Sequence, residues 1–217
     1  MTRIPESGED MKTAIAAAAA RAIAEEGCDY ATAKRRATRE LFGDGASRAA
    51  VPDNTLVEAE LRRYLRLFAA DTHPAELACL RRMALRLMHK LQAFDPYVVG
   101  AVLNGTATSF SPIRLNLYTD SAKDVEIFLL NEGVDFDVRE APAEAATTQE
   151  LLDLTVRAPA DGPIEGVVGV TLAVMDPAAI RVAPSGRSRD AELHPVERSG
   201  RADIAMLERL IEEVDSP

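Results

Sequence analysis

The stretch LNGTATSFSPIRLNLYTDSAKDVEIFLL, Leu103–Leu130, decides the fold that this sequence predicts. In its middle, apolar and polar side chains alternate: Ile113, Leu115 and Leu117 with Arg114, Asn116 and Tyr118. A period of two places the apolar side chains on one face of a strand and the polar ones on the other. We therefore expect a half-buried strand whose polar face carries a guanidinium, an amide and a phenol.

A helix is predicted after this strand. Ser121 stands three residues before Asp124, a spacing typical of a helix N-cap, and the apolar run that follows ends at Gly133. Further apolar runs predict strands at four places: Val98–Leu103, Val134–Val138, Leu151–Arg157 and Val167–Met175. The segment 141–149 is expected to be a loop.

The first part of the chain has the pattern of helices. Residues 10–26 are rich in alanine, contain no Gly or Pro, and are followed by Gly27, which favours a helix that ends there. Helical spacing and turn residues predict four helices in all: at 10–26, at 30–42, after an N-cap at Asp53 or Asn54, and at 73–94.

The last part of the chain changes character twice. Residues 184–201 are polar and rich in Pro, Gly and Arg, which predicts an extended or mobile segment. An apolar stripe then predicts a helix that docks on the protein: Ile204, Leu207, Leu210, Ile211 and Val214.

Together these patterns predict an α+β protein with three parts. Residues 1–96 form a helical N-terminal region, and residues 97–183 form a core with a mixed β-sheet and flanking helices. Residues 184–217 form a polar linker and a C-terminal helix.

The net charge of -10 belongs almost entirely to the second half of the chain. Residues 1–96 hold 15 Lys and Arg against 14 Asp and Glu, whereas residues 97–217 hold 10 against 21. An anionic partner such as a nucleotide or RNA would therefore prefer the Arg-rich helices of the first half. The alternative interpretation is that these arginines lie on the solvated faces of amphipathic helices.

Cysteine use and hydropathy indicate a cytoplasmic protein. Cys28 and Cys79 lie far apart, without a CxxC pattern or a His/Cys cluster, which disfavours a zinc site. The alanine run near the N-terminus follows several acids and predicts an ordinary helix rather than a signal peptide. No run approaches the roughly 18 apolar residues of a membrane span, so no membrane partner is expected.

Residues 97–138 place a strand, a Gly-Thr turn at Gly105 and Thr106, a Ser-x-Ile-x-Leu strand from Ser111, and a helix in that order. This order resembles the nucleotidyltransferase superfamily of the polymerase-β type. The resemblance implies a turn whose N–H groups and hydroxyl bind phosphate. It also implies a strand with two acids on one face that hold divalent metal ions, and a third acid on a later strand.

Carried over position by position, Gly105 and Thr106 match the turn, and Ser111 matches the serine before the first acid. The two acids map to Pro112 and Arg114, which cannot bind a metal ion. The resemblance therefore implies a degenerate member with a nucleotidyltransferase-like core and no transfer activity. It would bind a nucleotide, an RNA end or a protein partner, with Arg114 supplying the positive charge of the lost metal.

Two more residues are candidates for contacts with a phosphate or nucleotide. Asn116 shares a strand face with Arg114, and its amide can bond a ribose or phosphate; the alternative is a solvated sheet face. Lys123 stands at the start of the predicted helix, where it can reach a phosphate; the alternative is an ordinary surface lysine.

A second hypothesis is an active nucleotidyltransferase with rearranged carboxylates. Its acids would come from Asp120, Asp124 and Asp153, with Asp120 and Asp153 as the main candidates, and only this hypothesis calls for Mg²⁺. Asp153 lies on a later predicted strand, as the third acid of the family does. Asp120 and Asp124 are better explained as residues at a helix start, where the helix dipole favours a negative charge.

A third hypothesis is a helix-turn-helix regulator. Residues 14–43 resemble the opening helix and turn of TetR-type repressors, which implies phosphate contacts from four cations: Lys34, Arg35, Arg36 and Arg39. The segment GDGASRAAVPDN stands where a short turn and recognition helix should follow, and the overall acidity argues against DNA. An interaction module without a ligand cleft is the last alternative.

Overall fold

The computed structural model describes residues 8–43, 51–141, 147–184 and 186–215. The chain divides into two compact units, Met1–His73 and Pro74–Pro217. The described residues form seven α-helices and five β-strands, so the protein is α+β, as the sequence predicted.

The first unit contains three helices: α1 (Gly8–Glu26), α2 (Tyr30–Phe42) and α3 (Asn54–Phe68). Two of them have an aspartate as N-cap. The Asp29 side chain accepts from the N–H groups of the first turn of α2, and the Asp53 side chain accepts from Leu56 N. Half of the buried core residues of this unit are alanines and the rest are aliphatic: Ile15, Ala16, Ala19, Ala20, Ile23, Ala33, Ala37, Val57, Leu61 and Leu65. Alanine both favours the helix and lets helices approach closely.

The second unit contains the sheet and four helices. Its elements are α4 (His73–Lys90), β1 (Pro96–Val99), α5 (Ala101–Asn104), β2 (Ile113–Tyr118), α6 (Ala122–Asn131), β3 (Phe136–Glu140), β4 (Thr148–Arg157), β5 (Val167–Met175) and α7 (Ile204–Asp215). The strand order is β1-β2-β5-β4-β3. β2 and β5 run parallel and the other pairs are antiparallel, which makes the sheet mixed.

The two faces of the sheet differ in burial. One face carries aliphatic side chains that are at most 8% exposed: Ile113, Leu115, Leu117, Leu152, Leu154, Val168, Val170, Leu172 and Val174. They share one core with side chains of three helices: Leu80, Met83, Ala84 and Met88 of α4, Val125 and Leu129 of α6, and Leu207 and Leu210 of α7. We call the other side the open face; on it Arg114 is exposed, and Asn116, Asp153 and Thr171 are half-buried.

The strand expected at Val98–Leu103 is only partly correct. β1 ends at Val99, and α5 follows from Ala101 to Asn104. Gly100 has φ +71°, which breaks the extended backbone and turns the chain into the helix. The apolar run was therefore one strand and one helical turn, both buried.

The strand expected at Val134–Val138 begins later, at Phe136. Val134 N donates to Leu129 O at 2.9 Å and Gly133 N donates to Leu130 O at 3.1 Å, which is the Schellman pattern at the end of α6. Val134 therefore belongs to the helix cap.

The fourth strand begins three residues before its expected start, since Thr148 and Gln149 already lie in β4. They belong to the segment 141–149 that was expected to be a loop. Residues 142–146 of that segment lie outside the described residues.

The C-terminal part contributes to the second unit. α7 docks as expected, because Leu207 and Leu210 are fully buried in the core, although Val214 is 59% exposed. The polar segment before it contains turns and a short 3-10 helix, Glu197–Ser199. Ala202 then exchanges backbone hydrogen bonds with Val98, which pairs the end of the segment with β1.

Candidate functional site

The Gly105 turn connects α5 to β2 and uses its own hydrogen-bonding groups. Thr106 N donates to Ala101 O at 3.0 Å and to Asn104 Oδ1 at 3.1 Å, and the Thr106 hydroxyl donates to Asn104 Oδ1 at 2.7 Å. Gly105 N also bonds the Ala101 carbonyl, and Thr106 is only 1% exposed. In this arrangement Gly105 and Thr106 offer no N–H group or hydroxyl to a phosphate.

The following residues close a second turn. Ser111 Oγ accepts from Thr108 N at 3.0 Å, and Ser111 N donates to Thr108 O at 2.9 Å. Ser109 N donates to Glu76 Oε2 at 3.0 Å, which ties this turn to α4. The hydroxyl of Ser111 thus holds the backbone in place ahead of β2.

A side chain from a distant part of the sequence fills the space beside Gly105. A Cβ atom on Gly105 would lie 3.0 Å from Glu197 Oε1 and 3.7 Å from Arg81 Nη2. Glu197 Oε1 accepts from Arg81 Nη2 at 2.6 Å, and its other oxygen accepts from His194 N at 3.2 Å. A carboxylate of the chain itself therefore lies where the resemblance implied a bound phosphate.

Arg81 lies at the centre of this arrangement, and its role was not predicted from the sequence. Its Nε donates to Val102 O at 3.1 Å and its Nη2 donates to Leu103 O at 3.3 Å. The side chain is 4% exposed, and that of Glu197 is 15% exposed. The sequence does contain a sign of its burial, because Arg81 lies four residues after Leu77 and three before Ala84, on the apolar stripe of α4.

Arg114 lies on the open face near the start of β2, the second of the five strands. It pairs with Val99 of β1 on one side and with Thr171 of β5 on the other, and Thr171 pairs with Asp153 of β4. Arg114 forms no hydrogen bond or ion pair with any residue that the structure describes. Its guanidinium is therefore available to a ligand, whereas that of Arg81 is not.

Asn116 is the neighbour of Arg114 on the same face. It pairs with Tyr97 of β1 and Ala173 of β5, and it is half-buried. Within the described part of the chain, no hydrogen bond reaches its side-chain amide. Arg114 and Asn116 together give this face one cation and one free amide.

Asp153 lies on the open face but its carboxylate already has partners. Arg139 Nε donates to Oδ2 at 2.9 Å and Thr171 Oγ1 donates to Oδ1 at 2.6 Å. The hydrogen bond from Arg139 is the largest cause that holds the pKa of Asp153 below its ordinary value of 3.8, and the charge of Arg114 adds to it. Asp153 is thus an ionised partner of Arg139.

Asp120 does not join Asp153. Arg114 lies in the row of Asp153, and the end of β2 at Tyr118 lies about 13 Å further along the strand at about 3.3 Å per residue. Asp120 follows that end and is exposed. The structure therefore does not bring Asp120 and Asp153 into one site.

Lys123 is paired within its own helix. Its Nζ donates to both oxygens of Glu126, at 2.7 and 2.9 Å, and this contact is the main cause that raises the pKa of Lys123. A phosphate would have to compete with Glu126 for this ammonium group.

The described residues contain neither a candidate metal-binding cluster nor a membrane-spanning helix. Within residues 8–43, 51–141, 147–184 and 186–215, no three His, Cys, Asp or Glu side chains form a cluster that could hold a metal ion. Over the same ranges, none of the helices is both long and apolar enough to cross a membrane.

Three of the four cations of the helix-turn-helix hypothesis have partners in the first unit. Lys34 Nζ donates to Asn54 Oδ1 at 2.9 Å, and Arg35 donates to the Thr32 hydroxyl at 3.2 Å. Arg36 pairs with Glu26 and Glu40, whereas Arg39 lies in the last turn of α2. Eleven residues, 43–53, separate α2 from α3 where this motif has a short turn.

Two tyrosines and an arginine lie at the border of the open face on its β1 side. The rings of Tyr97 and Tyr118 meet edge to face with centroids 5.3 Å apart, and Arg201 lies over both, 5.7 and 5.9 Å from their centroids. Burial, followed by the charge of Asp95, raises the pKa of Tyr97, so its phenol is a donor at neutral pH.

No protein-family model, curated protein or solved structure matches this chain, so its function has to be inferred from the residues described above.

Proposed function

We propose that the open face of the sheet binds a nucleotide through Arg114, and that the protein does so without catalysing nucleotidyl transfer. The observation that carries the proposal is the exposed and unpaired guanidinium of Arg114 on the open face. A guanidinium offers a planar fork of donors that matches a phosphate.

The electrostatics near Arg114 favour an anion. The acid in the same row is Asp153, two strands away, at about 10 Å for two strand spacings. Its charge is already compensated by Arg139 at 2.9 Å. Although the net charge of the chain is negative, no carboxylate of the described residues pairs with Arg114.

The groups beside Arg114 favour a nucleotide over a bare phosphate. Asn116 has a free amide in the next row, and Tyr97 pairs with it across β1 and β2. An amide and an aromatic edge can bind a ribose or a base while Arg114 holds a phosphate. An RNA end presents the same groups, and its binding is a second outcome of the experiment below.

The proposal leaves the Gly105 turn out of the ligand site. The N–H groups of Gly105 and Thr106 are bonded inside the turn, and Glu197 occupies the adjoining space. We assign this turn the role of positioning β2 and thereby Arg114. The cytoplasmic location expected from the sequence stays a prediction.

Titration of the full chain with each nucleoside triphosphate, followed by calorimetry, tests the proposal. We expect binding that persists in a chelator and that falls about 10- to 100-fold in Arg114→Ala, the effect of losing hydrogen bonds to a charged group worth about 1.5–3 kcal/mol. Arg63→Ala is the control, because Arg63 is an exposed arginine of the first unit. A short RNA in place of the nucleotide identifies the RNA-end case.

Three outcomes would overturn the proposal. Binding that strictly requires magnesium and is lost in Asp153→Asn would support the active transferase instead. Equal affinity in Arg114→Ala and the parent chain would remove the open face as the site. No binding of any nucleotide or RNA would favour a protein interaction module.

A further inference from the structure

A cavity of about 400 Å³ lies on the helix-covered side of the sheet, inside the second unit. α4 and α6 form its walls and β4 and β5 form its floor. Most of its lining is apolar: Met83, Leu87, Leu91, Phe128, Leu129, Val134, Leu154, Val156, Val170 and Leu172. The volume falls in the range of about 300–1,000 Å³ that small-molecule sites occupy.

The rim of the cavity is basic. The ionisable residues that line it are Arg86, Lys90, Arg157 and Glu132. Arg157 has the strand parity of Asp153, so its side chain belongs to the open face, and the cations of the rim are Arg86 and Lys90 against the single acid Glu132. Arg86 and Lys90 are four residues apart on α4 and so lie on the same side of that helix. All four are exposed, and none pairs with an acid or a base among the described residues.

The edge of the sheet adds polar backbone to this rim. β3 pairs with β4 only as far as Leu154, so residues Thr155–Arg157 have no strand partner on that side within the described chain. These three residues also line the cavity. Backbone groups at an unpaired edge are available to a polar head group.

We propose that this cavity binds an aliphatic monocarboxylate, with the hydrocarbon tail of the ligand on the apolar floor and its carboxylate between Arg86 and Lys90. The apolar lining excludes a fully polar ligand, because polar groups buried there would find no hydrogen-bond partners. The excess of cations at the rim selects a negative head group over a neutral or positive one. The site lies on the opposite side of the sheet from Arg114 and does not depend on the nucleotide proposal.

The experiment uses the full chain and decanoate below its micelle concentration, with decanol, decylamine and butyrate as matched ligands. We expect decanoate to bind at least tenfold more tightly than each of the other three. Saturating decanoate should shift the methyl resonances of Met83, Leu87 and Leu172 in NMR spectra. A shift spread over the whole surface would indicate nonspecific adsorption and would overturn the proposal.

Substitutions at the rim and the floor test the two halves of the site separately. The double variant Arg86→Gln/Lys90→Gln should lose at least tenfold in affinity for decanoate and should bind decanol unchanged. Arg82→Gln, an exposed position on the same helix, is the control and should bind like the parent chain. Leu87→Phe places a larger side chain in the cavity and should weaken both ligands.

Two results would contradict the site. Equal affinities for decanoate and decanol would show that the basic rim does not select the head group. Unchanged decanoate binding in the double variant, with circular dichroism that confirms its fold, would place the ligand elsewhere. Nucleotide binding should be the same in all these variants, so a failure here is distinguishable from a failure of the open-face proposal.

Discussion

One arginine, Arg81 of α4, lies against the Gly105 turn and another, Arg114 of β2, lies on the open face, and the two have opposite environments. Arg81 is buried and donates to two carbonyls and to Glu197. Arg114 is exposed and has no partner among the described residues. The comparison separates stability from recognition: the buried arginine with bonded donors holds the fold, and the exposed one with free donors can bind a ligand.

The physical reason for the difference is the cost of burying charge. A guanidinium that leaves water needs partners for its donors, or the desolvation penalty is not offset. Arg81 has such partners because α5 ends beside it and leaves carbonyls without intrahelical bonds. Arg114 stays hydrated and needs none, so a ligand can displace its water.

The largest effect is expected for Arg81→Met. Removal of one member of a buried ion pair leaves Glu197 without its cation, which typically costs about 3–5 kcal/mol of unfolding free energy. Urea unfolding followed by circular dichroism measures the loss, since the chain has no tryptophan. The double variant Arg81→Met/Glu197→Gln should recover part of it. A loss below about 1 kcal/mol in the single variant would show that the pair does not stabilise the fold.

A smaller loss, about 1–2 kcal/mol, is expected for Gly105→Ala, because Gly105 has φ +82°. The new Cβ would also lie 3.0 Å from Glu197 Oε1, which adds to the loss. Gly133→Ala is the matched control: Gly133 has φ +68°, and a Cβ added there would meet no described atom within 4 Å. If the two variants lose the same stability, Glu197 does not occupy the space beside Gly105.

A loss of about 1 kcal/mol at neutral pH is expected for Asp153→Asn, the usual limit for a partly exposed ion pair. The pKa of Asp153 is lowered in the folded protein, mainly by Arg139, so its contribution is complete above the ordinary value of 3.8 and is lost as the pH falls through the folded value. The difference in unfolding free energy between parent and variant should therefore shrink below about pH 4. Asp135→Asn, an exposed position before β3, should show no such change. A difference that grows toward acid pH would contradict the assigned sign.

The smallest effect is expected for Arg114→Ala, whose unfolding free energy should lie within about 0.5 kcal/mol of the parent chain, as for exposed residues without partners. The same urea experiment as for Arg81→Met gives the comparison directly. A loss above about 1 kcal/mol would show that Arg114 supports the sheet. The contrast between the two arginines would then fail.

Local patterns predicted the elements that depend on neighbouring residues. β5 has the predicted bounds, Val167–Met175, and α2 has the predicted bounds, Tyr30–Phe42. Ser121 Oγ accepts from Asp124 N at 3.3 Å, as its spacing predicted. These features need only side-chain alternation, a cap or a turn residue within a few positions, all of which a sequence contains.

Distant contacts decided what the sequence did not predict. The strand expected at Val98–Leu103 became a strand and a helical turn whose carbonyls are bonded by Arg81, 21 and 22 residues away. Glu197, which fills the space beside Gly105, lies 116 residues from Arg81. The motif at Gly105 has the residue types of a phosphate-binding turn, and only the fold shows that its donors are already bonded.

The sequence by itself determined an α+β chain, the alternation of β2 and therefore the exposure of Arg114, because these follow from periodicity and burial over short distances. The tertiary structure alone decided that Arg81 and Glu197 meet beside Gly105, that Asp120 and Asp153 do not share a site, and that a basic-rimmed cavity lies under α4 and α6. The reason is that strand order and helix docking bring together residues whose separation in sequence carries no local signal of their contact.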